Sequence, residues 1–172
     1  RNTLEGEKRE INIREIEKDE QIGDRQDTDH IKRVMMYTPH EPIHITADDE
    51  FNSTNGVSAG NGTAINPYVI QWLNITNNSV DAIVIEGTTK HFLIQNCWID
   101  AIDKTNSAIE IKNVAAGTAR IENNMLLNGQ YGIYTVNAPN LSVKQNILEY
   151  HTRGMYITTS PYSLIKDNNA TY

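Results

Sequence analysis

The sequence predicts an all-β solenoid, a stack of coils made of short strands with no helical layer. The first observation is a six-residue phrase that recurs five times. It reads Ile70-Gln-Trp-Leu-Asn-Ile75, Ile94-Gln-Asn-Cys-Trp-Ile99, Ile121-Glu-Asn-Asn-Met-Leu126, Val143-Lys-Gln-Asn-Ile-Leu148 and Ile165-Lys-Asp-Asn-Asn-Ala170. Its first residues lie 24, 27, 22 and 22 positions apart. Self-similarity at that period marks a repeat in which each coil buries its apolar face only on its neighbours. The second observation is a unit that precedes four of the phrases: Ala82-Ile-Val-Ile85, Ala108-Ile-Glu-Ile111, Gly132-Ile-Tyr-Thr135 and Gly154-Met-Tyr-Ile157.

Each of these units is a four-residue strand that begins with a small residue. Side chains alternate along a strand, so Ile83, Ile109, Ile133 and Met155 point inward with Ile85, Ile111, Thr135 and Ile157. Val84, Glu110, Tyr134 and Tyr156 then point outward. Bends rich in Asn, Gly and Thr join the strands, because these residues tolerate left-handed backbone or supply local hydrogen bonds. No helical segment separates the strands, so parallel pairing runs between coils. The fourth position of the phrase is Leu73, Cys97, Asn124, Asn146 and Asn168. Three stacked asparagines there predict an amide ladder that builds a turn.

Charge divides the chain. Residues 1–37 carry 18 Asp, Glu, Lys and Arg, and residues 38–172 carry 19 in more than three times the length. The first stretch reads as a charged arm that orders against something else, with Ile11, Ile13 and Ile16 as its assembly residues. A short amphipathic helix over Ile11–Ile22 is the alternative. Thr38-Pro-His-Glu-Pro42 reads as an extended hinge, since proline forbids helix. Residues 38–67 are expected to be the first strand and cap of the solenoid, with 47–66 a polar excursion that shields the open end of its core. Residues 68–172 are expected to be the coils, about five of them. The chain begins at Arg1 without methionine, which suggests a processed product or part of something larger. The last phrase fades without a plug, so the natural chain is expected to continue past Tyr172, with stacking on a partner as the alternative. The net charge of -7 and the lack of a basic stripe argue against nucleic acid. No apolar run approaches a membrane span of about 18 residues. The single cysteine, Cys97, excludes an intrachain disulfide and reads as a packed thiol.

The pairing of a Gly-Ile-x-Ile strand with Ile-x-x-Asn-x-Ile resembles the right-handed parallel β-helix repeat proteins. That superfamily includes pectate-lyase-like enzymes, sugar-binding and sugar-hydrolysing modules, and NosD-type periplasmic proteins. His40-Glu-Pro-Ile-His-Ile45, Gly60-Asn-Gly-Thr63 and Asn66-Pro-Tyr-Val-Ile70 are similar to the opening motif of secreted β-helix proteins abundant in archaea. The resemblance covers residues 39–172 and implies the fold. Activity does not follow from it, because this fold hosts many functions.

Enzymes on this fold set acids and a base on an outward strand face. The outward row here offers one carboxylate, Glu110. Asp100 and Asp103 sit in a bend and read as turn residues. Asp48-Asp49-Glu50 reads as a solvated acidic run, with calcium as its alternative. His151 and Arg153 read as a solvated turn. Glu110, Asp103 and Arg153 make up the one plausible catalytic set. Glu122 is expected to pair with Lys144. The NosD resemblance raises copper delivery, but His30, His40, His44, His91 and His151 and Met35, Met36, Met125 and Met155 form no ligand cluster in sequence, so neither metal nor cofactor is expected. Tyr134 and Tyr156 occupy the same slot of successive coils with Tyr131 beside them, a stacked pair or a sugar platform that Glu110 adjoins. Asn-x-Ser/Thr sequons stand at Asn52, Asn61, Asn74, Asn77, Asn140 and Asn169. Chance predicts roughly three, so six favours a glycosylated, exported chain.

The sequence thus leads to an all-β, right-handed parallel β-helix with an N-terminal cap and an extended charged arm. The expected role is a non-enzymatic extracellular structural or adhesive protein of an archaeal-type cell surface, a spacer or a subunit of an assembly or filament. The expected partners are further copies or other cell-surface proteins. The alternatives are a carbohydrate-binding or carbohydrate-cleaving module and, remotely, metal delivery.

Overall fold

A computed structural model of the chain describes residues 36–77 and 79–171; Ile11, Ile13 and Ile16 of the expected arm lie outside the described residues. The described chain winds through about four turns of a β-solenoid, which stack its strands on five levels. The first coil holds β2 (Ile43–Ile45), β4 (Tyr68–Gln71) and β5 (Leu73–Thr76). The second holds β6 (Ile83–Glu86), β7 (Phe92–Gln95) and β8 (Trp98–Asp100). The third holds β9 (Ser107–Lys112), β10 (Ala119–Glu122) and β11 (Met125–Leu127). The fourth holds β12 (Tyr131–Val136), β13 (Ser142–Lys144) and β14 (Ile147–Glu149). The last holds β15 (Arg153–Thr158), β16 (Leu164–Lys166) and β17 (Asn169–Thr171). Two edge strands, β1 (Thr38–Pro39) and β3 (Val57–Ala59), precede β4. Three sheets result, in the orders β1-β5-β8-β11-β14-β17, β3-β4-β7-β10-β13-β16 and β2-β6-β9-β12-β15. β3 runs antiparallel to β4; the other pairs are parallel.

Equivalent residues lie directly over one another. Ile70, Ile94, Ile121, Val143 and Ile165 form one register file. Ile75, Ile99, Leu126, Leu148 and Ala170 form a second. The strand units supply Ile43, Ile83, Ile109, Ile133 and Met155, with Ile45, Ile85, Ile111, Thr135 and Ile157 beside them. All of these are buried through the fourth coil, and Ile165 in the last is 45% exposed. Fully burying one such side chain stabilises the fold by about 1.5–3 kcal/mol, so the files dominate cohesion. The glycine that opens the third of these strand units has a steric cause. A methyl on Gly132 would lie 2.5 Å from Leu148 and 2.7 Å from the Gly154 carbonyl.

The corner inside the phrase repeats as faithfully. Its third residue is left-handed in every coil: Trp72, Asn96, Asn123, Gln145 and Asp167. That backbone costs a residue with a side chain about 1–2 kcal/mol, except where a short polar group eases it. The next residue makes the compensating bonds. Asn124 Nδ2 donates to Asn146 Oδ1 at 2.9 Å, and Asn146 Nδ2 donates to Asn168 Oδ1 at 2.9 Å. The same oxygens accept the backbone N–H groups of Asn124 and Asn146. Asn146 Nδ2 also meets the Ile121 and Lys144 carbonyls at 3.0 Å. Cys97 fills this slot one coil earlier. Its Sγ reaches the corresponding carbonyls of Ile70 at 3.8 Å and Gln95 at 3.3 Å, and its N–H donates to Asn124 Oδ1.

Residues 47–66 fold as two short 3₁₀ turns, Asp48–Glu50 and Ser53–Asn55, followed by β3. Phe51 is buried, stacked on Tyr68 at 4.8 Å and tilted against Phe92 at 5.8 Å. The excursion therefore packs an aromatic wedge at the first coil. The expected hinge at Thr38–Pro42 differs: Thr38–Pro39 is an edge strand. Thr38 N donates to the Trp72 carbonyl at 2.8 Å and His40 N to that of Asn74 at 2.9 Å. Pro39 has no N–H to offer, and an edge strand tolerates that.

The ladder gives a stability prediction. Asn146→Ala removes five hydrogen bonds of a buried amide and is expected to cost about 3 kcal/mol, read as a lower urea midpoint at unchanged slope. An unchanged midpoint would mean that the ladder adds nothing.

Candidate functional site

The outward face of β2-β6-β9-β12-β15 carries the residues with the most chemistry. Its central row is His44, Val84, Glu110, Tyr134 and Tyr156, in register. The row beside it begins Glu86, Lys112, Val136 and Thr158. Lys112 Nζ lies 2.5 Å from Glu110 and 3.5 Å from Glu86, while His44 approaches Glu86 at 3.9 Å. The row therefore has a second carboxylate close by. Glu86 escapes a reading of the strand units because it stands one position beyond them. The hydrogen bond to Glu110 raises the Lys112 pKa and keeps its ammonium charged. Both carboxylates grip one cation, which makes a cross-coil clamp. Such partly exposed pairs are worth up to about 1 kcal/mol each.

Above the clamp stand three tyrosines. The rings of Tyr134 and Tyr156 are stacked, 5.4 Å apart and 8° from parallel. Tyr131 tilts against them at 5.1 and 5.7 Å. Arg153 donates to the Tyr131 hydroxyl at 2.9 Å and lies 5.7 Å from its ring centre. Stacking turns the Tyr134 and Tyr156 faces toward each other, so ring edges and hydroxyls point away from the sheet. Of the stacked pair, Tyr156 keeps 43% exposure, and its ring supplies what flat surface a pyranose could use. Glu110 sits one rung below Tyr134. Of the other residues in the expected catalytic set, Arg153 is held at Tyr131, and Asp103 turns its carboxylate back to Thr105 N at 3.0 Å in its own loop.

The remaining candidates have structural employment. Asp48, expected to be solvated, instead accepts Thr88 Oγ1 at 2.7 Å, Thr89 N at 2.8 Å and Thr89 Oγ1 at 2.6 Å. Those hydrogen bonds, Thr88 foremost, hold its pKa down at about 2. Glu50 turns back to Thr46 N and Ala47 N, and the Thr46 bond lowers its pKa. Asp100 accepts Ile102 N and Asn128 Nδ2. Glu122 pairs with Arg120 at 3.3 Å on its own strand, in place of the expected Lys144. His151, expected in a solvated turn, is buried. Cys97 is buried too, and burial pushes its thiol up to about 12, so the reactive thiolate is scarce at neutral pH. Among the described residues, no three His, Cys, Asp or Glu side chains gather as a metal site.

The sequons fall on different structures. Asn61, Asn52, Asn140 and Asn169 are exposed, whereas Asn74 and Asn77 are half-buried. Asn61 Oδ1 accepts Thr63 Oγ1 at 2.9 Å, within its own sequon. Asn52 Oδ1 caps the second 3₁₀ turn through Thr54 N and Asn55 N. Asn77 Nδ2 donates to the Val80 carbonyl.

Asp48 sets an acid limit on the cap. Its pKa is depressed from 3.8 to about 2 in the folded chain, so its stabilisation is present above about pH 4 and is lost as pH falls toward 2. Asp48→Asn is expected to cost about 1 kcal/mol at pH 7, a figure discounted for its partial exposure, and to flatten stability between pH 4 and 2. Thermal melts across that range check both.

No protein-family model matches the chain, and no curated protein or solved structure matches it.

Proposed function

We propose that this chain is a non-enzymatic structural or adhesive β-helix of a cell surface, acting as a rigid spacer or as a subunit of an assembly. The in-register stacking of every interior file supports this reading best. Each coil is fixed by its neighbours at about 4.8 Å per rung, so the described coils behave as one stiff unit that presents straight outward rows. The Glu86–Lys112–Glu110 clamp and the tyrosine stack lock the outer surface in the same register. The six sequons and the resemblance to secreted archaeal β-helix proteins favour an exported setting. Treating intact native cells with a membrane-impermeant amine reagent tests it. Modification of Lys144 and Lys166 before lysis is expected, and modification only after lysis would overturn the surface assignment.

A second reading is a carbohydrate-binding module, favoured by the partly exposed Tyr156 packed on Tyr131, whose hydroxyl accepts from Arg153. On this reading the chain retains glycans on an array, and the Tyr134→Ala, Tyr156→Ala double variant loses at least about tenfold in affinity, the effect of about 1.4 kcal/mol of ring contact. A parent protein that binds no glycan would remove the reading.

A further inference from the structure

The segment between β8 and β9, residues 101–106, is longer than the three-residue connections at the same corner of the next two coils, 128–130 and 150–152. It lies across the turn at Gly129 as a strap. A methyl built on Gly129 would lie 2.7 Å from the Asn106 carbonyl, 3.0 Å from Ala101 and 3.6 Å from His151 Nδ1. Glycine therefore permits the strap, the turn and the histidine ring to close on one another. Lys104 pins the far side: its Nζ donates to the Tyr150 carbonyl at 2.7 Å, two coils along. Gln130 N donates to the Asn106 carbonyl at 2.7 Å and Thr152 N to that of Gly129 at 3.1 Å. Beneath this strap His151 is 4% exposed. Neither of its ring nitrogens has a hydrogen-bond partner, and nor does the buried Nδ2 of Asn106.

We propose that residues 101–106 form an acid-released latch, in which protonation of His151 frees the strap and opens the corner shared by the second, third and fourth coils. The chemistry follows from what surrounds the ring. A neutral imidazole fits an apolar enclosure, whereas an imidazolium needs two acceptors or water. The Leu126 carbonyl approaches the ring without meeting hydrogen-bond geometry and favours the imidazolium, and burial of the ring outweighs it. The charged groups that face it are Lys104 and Asp100. Lys104 repels an imidazolium from the pinned position. Asp100 attracts it more weakly, with one oxygen already shared by Asn128 Nδ2 and Ile102 N. Asp103, the remaining acid of the strap, is turned to Thr105. Burial lowers the His151 pKa from its ordinary 6.5, so the closed corner binds fewer protons than the open one. Opening is therefore favoured increasingly as pH falls through 6.5, by at most tenfold per pH unit, until the closed-state value is passed.

Native-state hydrogen exchange between pH 7.5 and 5, corrected for intrinsic rates, tests the latch. In the parent chain the amides of Gln130 and Thr152 are expected to lose up to about fivefold in protection between pH 6.5 and 5.5, while the Asn124 and Asn146 amides of the ladder hold. His151→Leu is expected to abolish that acid response. Lys104→Met is expected to raise exchange at neutral pH and to shrink the response, because the repulsion is gone. An equal response in His151→Leu, or constant protection in the parent, would overturn the proposal. Should His151→Leu fail to fold, titration of the His151 ring by nuclear magnetic resonance in the parent decides. A ring pKa below 6.5 that tracks the loss of Gln130 protection sustains the latch, and a value at or above 6.5 ends it.

Discussion

Parallel pairing between successive coils is the constraint on which the rest of the molecule depends. A strand of two to six residues is too short to stand alone, and apart from β3 with β4 no sequential neighbour among the described strands returns to pair with it as in a hairpin. Its backbone N–H and C=O groups and its inward side chains are satisfied only by the same segment one coil away. That demand forces a constant translation. A constant translation brings like residues together, so each position of the repeat becomes a column with its own chemistry. Aliphatic columns make a dry interior, asparagine columns make a hydrogen-bonded corner, and outward columns collect whatever the strands leave facing water.

The corner shows how columns offset local cost. Trp72 and Gln145 hold a backbone conformation that their side chains disfavour, and beside Gln145 stands Asn146, whose amide is bonded to the coils on both sides. Cys97 reaches the two carbonyls that an asparagine would use, with a weaker and longer contact. The ladder therefore begins at Asn124 and strengthens toward Asn146.

Much of this was legible in the residues. The five phrases set the file from Ile70 to Ile165, the strand units set which side chains face in, and the repeated fourth-position asparagines set the ladder. These features are periodic, and a period can be read without knowing the fold. What stayed illegible is what breaks the period or joins different coils. Glu86 meets Lys112 only because the sheet brings adjacent coils within reach, one position beyond the repeat unit. Asp48 finds Thr88 and Thr89 forty positions away because the cap folds back on the second coil's corner. His151 looks like an exposed turn residue until the long loop at 101–106 lies over it. The tyrosines were legible as neighbours, but the near-parallel angle that hides their faces came only from the structure.

The two intervals of 22 residues, from Ile121 to Val143 and from Val143 to Ile165, have a consequence for how such a molecule can lengthen. Copying one interval in the gene would insert a complete rung whose upper and lower surfaces already match, so growth by tandem duplication meets no steric penalty there. Ahead of Tyr68 the chain direction reverses at β3, so in that sheet a copied rung would meet an antiparallel edge. The described coils are thus open to insertion in their middle, whereas one of the three sheets ends at its head on a strand of opposite sense, a polarity inherited from β3 alone.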